Sequence, residues 1–188
     1  MEEQNDLALL IKQEEEKERC SIYEWAEALI IALVVATLIS ACCFRLVGVS
    51  GNSMVDTLHN KDFLLLFNSF YGEPEYGDII VIRRDDGEPL IKRVIAKEGD
   101  TVAIDPDEQV VYLNGEKLDE PYAEQIAFGE CDLEFPYQVP HEQYFVLGDM
   151  RESSIDSRNT LVGCVENDQI IGKIFLRIWP FSRIRIFH

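Results

Sequence analysis

Histidine is scarce in this chain. His59, His141 and His188 are the three present, and each sits beside turn-forming or terminal residues, which leaves a histidine-based triad without a good base. Two nucleophile signatures are missing as well. The pattern GxSxG fails at Gly51-Asn52-Ser53-Met54 because Val55 follows, and SxxK fails because Asp56 stands three residues after Ser53. The five cysteines show no CxxC spacing, so neither a metal site nor any other cofactor is indicated. Cys131 and Cys164 are compatible with a disulfide or with two free thiols. Positive charge is also in short supply: 17 Lys and Arg against 35 Asp and Glu give a net charge of -18. No basic stripe precedes Lys173, which excludes the clustered phosphate contacts of a nucleic-acid partner. The late bases Lys173, Arg177, Arg183 and Arg185 alternate with apolar residues, as on a solvated face or one drawn to anionic lipid.

One long uncharged run is present. Ala28 to Phe44 is 17 residues without a charge, and its apolar character continues to Val47 past Arg45, which can snorkel. We read 28–47 as a transmembrane helix in contact with membrane lipid. The acid-rich leader before it is unlike the short positive start of a cleaved signal, so the span is expected to persist. Lys12, Lys17 and Arg19 ahead of it, against Arg45 behind, place residues 1–27 in the cytoplasm and 48–188 outside. Within the leader, Leu7, Leu10 and Ile11 followed by Glu14, Lys17 and Glu18 predict a short amphipathic helix.

After Gly48 the chain changes to short strand-like runs: Phe63 to Phe67, Asp78 to Arg83, Pro89 to Ala96, Thr101 to Asp105, Val110 to Leu113, Gln143 to Leu147, Ile170 to Ile178 and Arg183 to Phe187. Turn signals, Asp86-Gly87 and Asn114-Gly115 among them, fall between the runs. The fold class is therefore mainly β: an antiparallel sheet domain preceded by a single N-terminal transmembrane helix. The stretch 119–140, with Pro121, Pro136 and Pro140, reads as a peripheral loop excursion.

Peptide hydrolysis needs a nucleophile, a base and oxyanion donors. With histidine set aside, lysine is the remaining base, and Lys92 stands in the apolar run Leu90-Ile91-Lys92-Arg93-Val94-Ile95. Burial there lowers a lysine pKa toward neutrality. On spacing alone, Lys92 and Arg93 read equally as solvent-facing charges of an edge strand.

Four segments occur in order: Ser50-Gly51-Asn52-Ser53-Met54-Val55-Asp56-Thr57-Leu58; Gly77-Asp78-Ile79-Ile80-Val81; Ile91-Lys92-Arg93-Val94-Ile95 with Gly99-Asp100; and Gly148-Asp149-Met150-Arg151 with Ser154, Asp156, Ser157 and Arg158. Together with the ending Trp179-Pro180-Phe181, the set resembles the type I signal peptidase family, in the bacterial branch that carries Lys at position 92. The resemblance implies a bacterial plasma-membrane endopeptidase that removes signal peptides from exported precursors through an acyl-enzyme. It makes Ser53 the nucleophile and Lys92 the general base, with Ser154 orienting the amine and Asp156 and Arg158 supporting that loop. It also makes Val49, Met54, Leu58 and Ile91 the substrate-binding residues, which on pattern alone are equally core.

Three positions depart from the family pattern. Gly51 replaces a serine that in some members helps bind the oxyanion, Asp56 stands where proline is usual, and Met150 where asparagine is usual. Two other readings fit a Ser/Lys sheet domain: a self-cleaving regulator, whose DNA-binding segment is here replaced by the span, and a tethered domain that binds extended peptides without cutting them.

Overall fold

The computed structural model describes residues 23–41, 43–68, 72–84, 87–123, 129 and 131–187. The chain divides into two units, Met1–Cys43 and Phe44–His188. In the first, helix α1 (Tyr23–Ala41) runs for 19 residues with no side chain buried in the protein. At 1.5 Å per residue it covers about 28 Å, close to the ~30 Å hydrocarbon core of a bilayer. Its length and apolar surface are enough to cross a membrane. Of the expected span 28–47, residues 28–41 lie in this helix, whose described part is Tyr23–Ala41, and Phe44–Gly48 is the first strand, β1. A continuous apolar run does not distinguish helix from strand, and pairing with a later segment decides it. The amphipathic helix expected around Leu7 to Glu18 lies outside the described residues.

The second unit is antiparallel β throughout its described strands. In chain order after β1 these are β2 (Phe63–Asn68), β3 (Ile79–Ile82), β4 (Leu90–Ala96), β5 (Thr101–Asp105), β6 (Val110–Leu113), β7 (Glu116–Lys117), β8 (Tyr137–Gln138), β9 (Gln143–Leu147), β10 (Val165–Glu166), β11 (Ile170–Trp179) and β12 (Arg185–Ile186). The main sheet runs β1-β2-β11-β3-β4-β9-β10 with β12 beside β11, and a smaller sheet runs β7-β6-β5-β8. The expected Asn114-Gly115 turn joins β6 to β7 with both residues at positive φ, 53° and 84°, as a tight hairpin turn requires. The excursion 119–140 is not all loop, since β8 pairs with β5.

Alternation along the strands separates the core. Ile79, Val81 and Ile91 pack with Leu64, Leu66 and Ile174 on one side, while Ile80, Ile82 and Val94 pack with Val146, Val165 and Ile170 on the other. A third cluster, centred on Ile95, Val102, Val111, Phe145 and Leu147, joins residues of both sheets. Strand β4 is consequently buried from Ile91 to Ala96, which encloses its two charged residues.

The late bases also differ from a simple solvated face. Arg177 is buried and donates to Asp62 at 3.2 Å and to the Thr57 carbonyl at 2.8 Å, and Arg183 reaches the same carboxylate at 3.0 Å. Lys173 pairs with Asp78 at 2.8 Å. The carboxylates that draw these bases inward are distant in sequence, so an alternating pattern does not reveal them. Asp62→Ala leaves the Arg177 guanidinium buried without its charge partner, and a loss of about 3 kcal/mol is expected in urea unfolding. A variant within 1 kcal/mol of the unmodified protein, on the order of a single neutral hydrogen bond, would show that the pair holds nothing together.

Candidate active site

Ser53 lies, half-buried, in a tight turn between β1 and β2. The turn is closed by the Val55 N–H to the Asn52 carbonyl at 3.0 Å and by the Leu58 N–H to the Met54 carbonyl at 2.7 Å. Gly51 has φ 93° and Asp56 φ 74°. At Gly51 this left-handed conformation disfavours a serine, and at Asp56 a proline cannot adopt it at all, whereas aspartate tolerates it. Two of the three departures from the family pattern thus match the backbone that this turn adopts.

The turn that carries Ser53 is tied to the loop after β9. The Met150 N–H donates to the Ser53 carbonyl at 3.0 Å. The Thr57 hydroxyl donates to Asp149, whose carboxylate also accepts Nε and Nη2 of Arg93 at 2.9 and 2.7 Å. Gly148 is hemmed in between the two serines: a Cβ there would stand 2.2 Å from Ser154 Oγ and 2.7 Å from the Ser53 carbonyl oxygen. The geometry therefore brings the Ser53 backbone and the Ser154 side chain together beside one glycine.

Lys92 is 1% exposed. Burial pulls its pKa down from 10.5 to about 8, with the Arg158 charge pulling the same way and Asp156 and Asp149 opposing. Low dielectric disfavours the ammonium and leaves a share of neutral amine near neutral pH. The edge-strand alternative for Lys92 and Arg93 is corrected, since both are buried in a strand paired on each side. Asp156 takes Nε and Nη2 of Arg158 at 2.8 and 2.9 Å and the Gly148 N–H at 3.0 Å, so it fixes the loop from inside. The Ser154 hydroxyl is buried and has no hydrogen-bond partner among the described residues, so the bond to Lys92 that the family likeness implies is not formed in this conformation.

The four expected substrate contacts share one core cluster. Met54 and Leu58 are 2% and 0% exposed, whereas Val49 and Ile91, at 7% and 9%, reach its edge. Leu58 is fully enclosed in this conformation. Cys131 and Cys164 are both free thiols. Sequence reasoning gave no role to Arg93, Asp149 and Thr57. A buried strand that alternates Lys92 and Arg93 places one charge on each face, so a carboxylate was owed to Arg93, but which one is settled only by the fold.

Comparison with known proteins gives the family. Residues 22–179 match the family model for signal peptidase, peptidase S26. The chain is 40% identical over 185 residues to signal peptidase I S of Bacillus subtilis (strain 168), covering 93% of this chain and 98% of that one. It is 38% identical over 175 residues to a signal peptidase I of Bacillus licheniformis, covering 88% and 92%. A crystal structure of a signal peptidase I from Enterococcus faecalis V583 is similar with TM-score 0.46 and 28% identity, over 54% of this chain and 97% of that one. With a family match over residues 22–179 and relatives at this identity over most of their length, the chain belongs to the signal peptidase family of S26 peptidases.

Proposed function

We propose that Ser53 attacks the scissile carbonyl of a signal-peptide-bearing precursor and that neutral Lys92 takes the hydroxyl proton, then returns it to the leaving amine. The observation that carries this reading is the burial of Lys92, which brings its pKa to about 8. A lysine at its ordinary value is almost wholly protonated near neutrality and makes a poor base. The Ser53 backbone N–H supports the oxyanion, and Ser154 orients the amine after a change of rotamer. Asp156 and Arg158 keep that loop in place. Val49 and Ile91 contact the small residues before the cleavage site, with Met54 and Leu58 packed behind them.

The precursor lies as an extended strand, with alternate side chains turned into shallow pockets. Helix α1 spans the bacterial plasma membrane with the amino terminus in the cytoplasm and the sheet domain outside. Anchoring confines enzyme and precursor to one surface and raises their effective concentration. Reconstitution with a precursor carrying an Ala-x-Ala site tests the chemistry. The unmodified chain is expected to cleave it, and Ser53→Ala and Lys92→Ala each to lose at least about a thousandfold in kcat. Turnover surviving either substitution would rule out the pair.

A further inference from the structure

Two side chains of the excursion after β7 grip the loop that carries Ser154. Glu120 accepts from Arg151, from Nη1 at 2.9 Å and from Nη2 by a shorter bond, with the two side chains 10% and 3% exposed. Two residues on, the Tyr122 ring lies 3.8 Å from the Arg93 guanidinium, and its hydroxyl donates to Glu120 at 3.2 Å. Each grip reaches a residue already built into the site. Arg151 donates Nε to the Gly148 carbonyl at 2.9 Å, and its own carbonyl accepts Nη2 of Arg158 at 2.8 Å. Arg93 holds Asp149. Between Asp149 and Arg151, Met150 is the residue whose N–H binds the Ser53 carbonyl.

A two-point Arg–carboxylate contact fixes direction as well as distance, and an arginine under an aromatic face is shielded from water. Loss of one partner of a buried ion pair also costs stability, so the positional effect is read in kcat well below each variant's Tm. We propose that Glu120 and Tyr122 are positioning residues of the peptidase, which hold Gly148–Arg151 so that the Ser53 hydroxyl and the Lys92 amine stand in register. This rests on Ser53 and Lys92 being the reactive pair. Both act through the arginines they hold, Arg151 and Arg93.

Removal of the ring has a distinct electrical effect. The charges acting on Lys92 are Asp156, Arg158 and Asp149, and Asp149 is neutralised by Arg93 under Tyr122. Once water enters and that pair loosens, the Asp149 charge acts on Lys92 less compensated and favours the ammonium. The acid limb of the kcat profile then moves to higher pH.

The full chain, reconstituted in lipid vesicles with an Ala-x-Ala precursor, is assayed for kcat and KM across pH well below each variant's Tm. Glu120→Ala and Tyr122→Ala are expected to lower kcat about tenfold with KM within about twofold. Glu120→Gln, which keeps an acceptor for Arg151, and Tyr122→Phe, which keeps the ring over Arg93, are expected to recover most of it. Tyr122→Ala also moves the acid limb up by about 0.5 in pH. Alanine variants at full kcat, or conservative variants as impaired as the alanines, overturn the proposal while Ser53→Ala and Lys92→Ala stay inactive. Cleavage by Ser53→Ala or Lys92→Ala instead overturns the reactive pair, and the proposal with it.

Discussion

Lys92→Met is expected to abolish signal-peptide cleavage and, in the same molecule, to raise stability near neutral pH. The folded protein lowers the Lys92 pKa from 10.5 to about 8, so folding opposes protonation that the unfolded chain accepts freely. A tenfold change in proton affinity corresponds to about 1.4 kcal/mol, which puts the penalty on the order of 3 kcal/mol. The sign follows from the lowered pKa. The penalty is fully present below about pH 8, fades as pH rises toward 10.5, and is absent above that. Methionine has no charge to desolvate, so the variant is expected to gain about 2 kcal/mol at pH 7 in urea unfolding, with the gain shrinking at high pH. Activity is expected to run opposite: with Lys92 as the proposed base, kcat of the unmodified enzyme should rise through about pH 8 as the amine becomes neutral. Lys92→Arg is not expected to restore turnover, because a guanidinium does not release its proton in this range. A Lys92→Met protein less stable than the parent at pH 7 would mean that the amine is satisfied, not strained, in the fold.

The cost of burying this lysine also bears on what could be read in the sequence. Strands β3 to β6 and β9 were legible to within a residue or two, because runs such as Ile79–Ile82 and Thr101–Asp105 are rich in β-branched residues and end at turn signals. Their division between two sheets was not. That depends on which strand finds which partner, and β5 pairs with the two-residue β8 inside a proline-bearing stretch. Position 92 looked like an ordinary edge charge until β3 and β9 were placed on either side of it. The ordered motifs pointed to Ser53, Lys92 and Ser154 by likeness alone. The Arg93–Asp149 and Glu120–Arg151 pairs join segments far apart in the chain, and no local period encodes such partnerships.

Close packing between those distant segments leads to the second large effect, at Gly148. Its amide donates to Asp156 at 3.0 Å, its carbonyl accepts from Arg151 at 2.9 Å, and there is no room for a side chain between the two serines. A methyl there would meet Ser154 Cβ at 2.6 Å and the Ser53 carbonyl oxygen at 2.7 Å. The first neighbour is a stiff part of a side chain and the second is backbone, so neither yields without moving the loop. Moving it stretches the Met150–Ser53 hydrogen bond and shifts the Ser53 turn relative to the strand that holds Lys92. A misplacement of about 1 Å between reacting groups costs on the order of a hundredfold in rate, while overpacking a buried position costs about 2 kcal/mol. Gly148→Ala is therefore expected to fold, with a lower Tm, and to lose at least about a hundredfold in kcat. Gly87→Ala is the control, since a Cβ at that position meets nothing within 4 Å. Should Gly148→Ala cleave precursor at the parent rate, the loop would have to be free to shift without disturbing Ser53, and the coupling between the two serine-bearing segments would be absent.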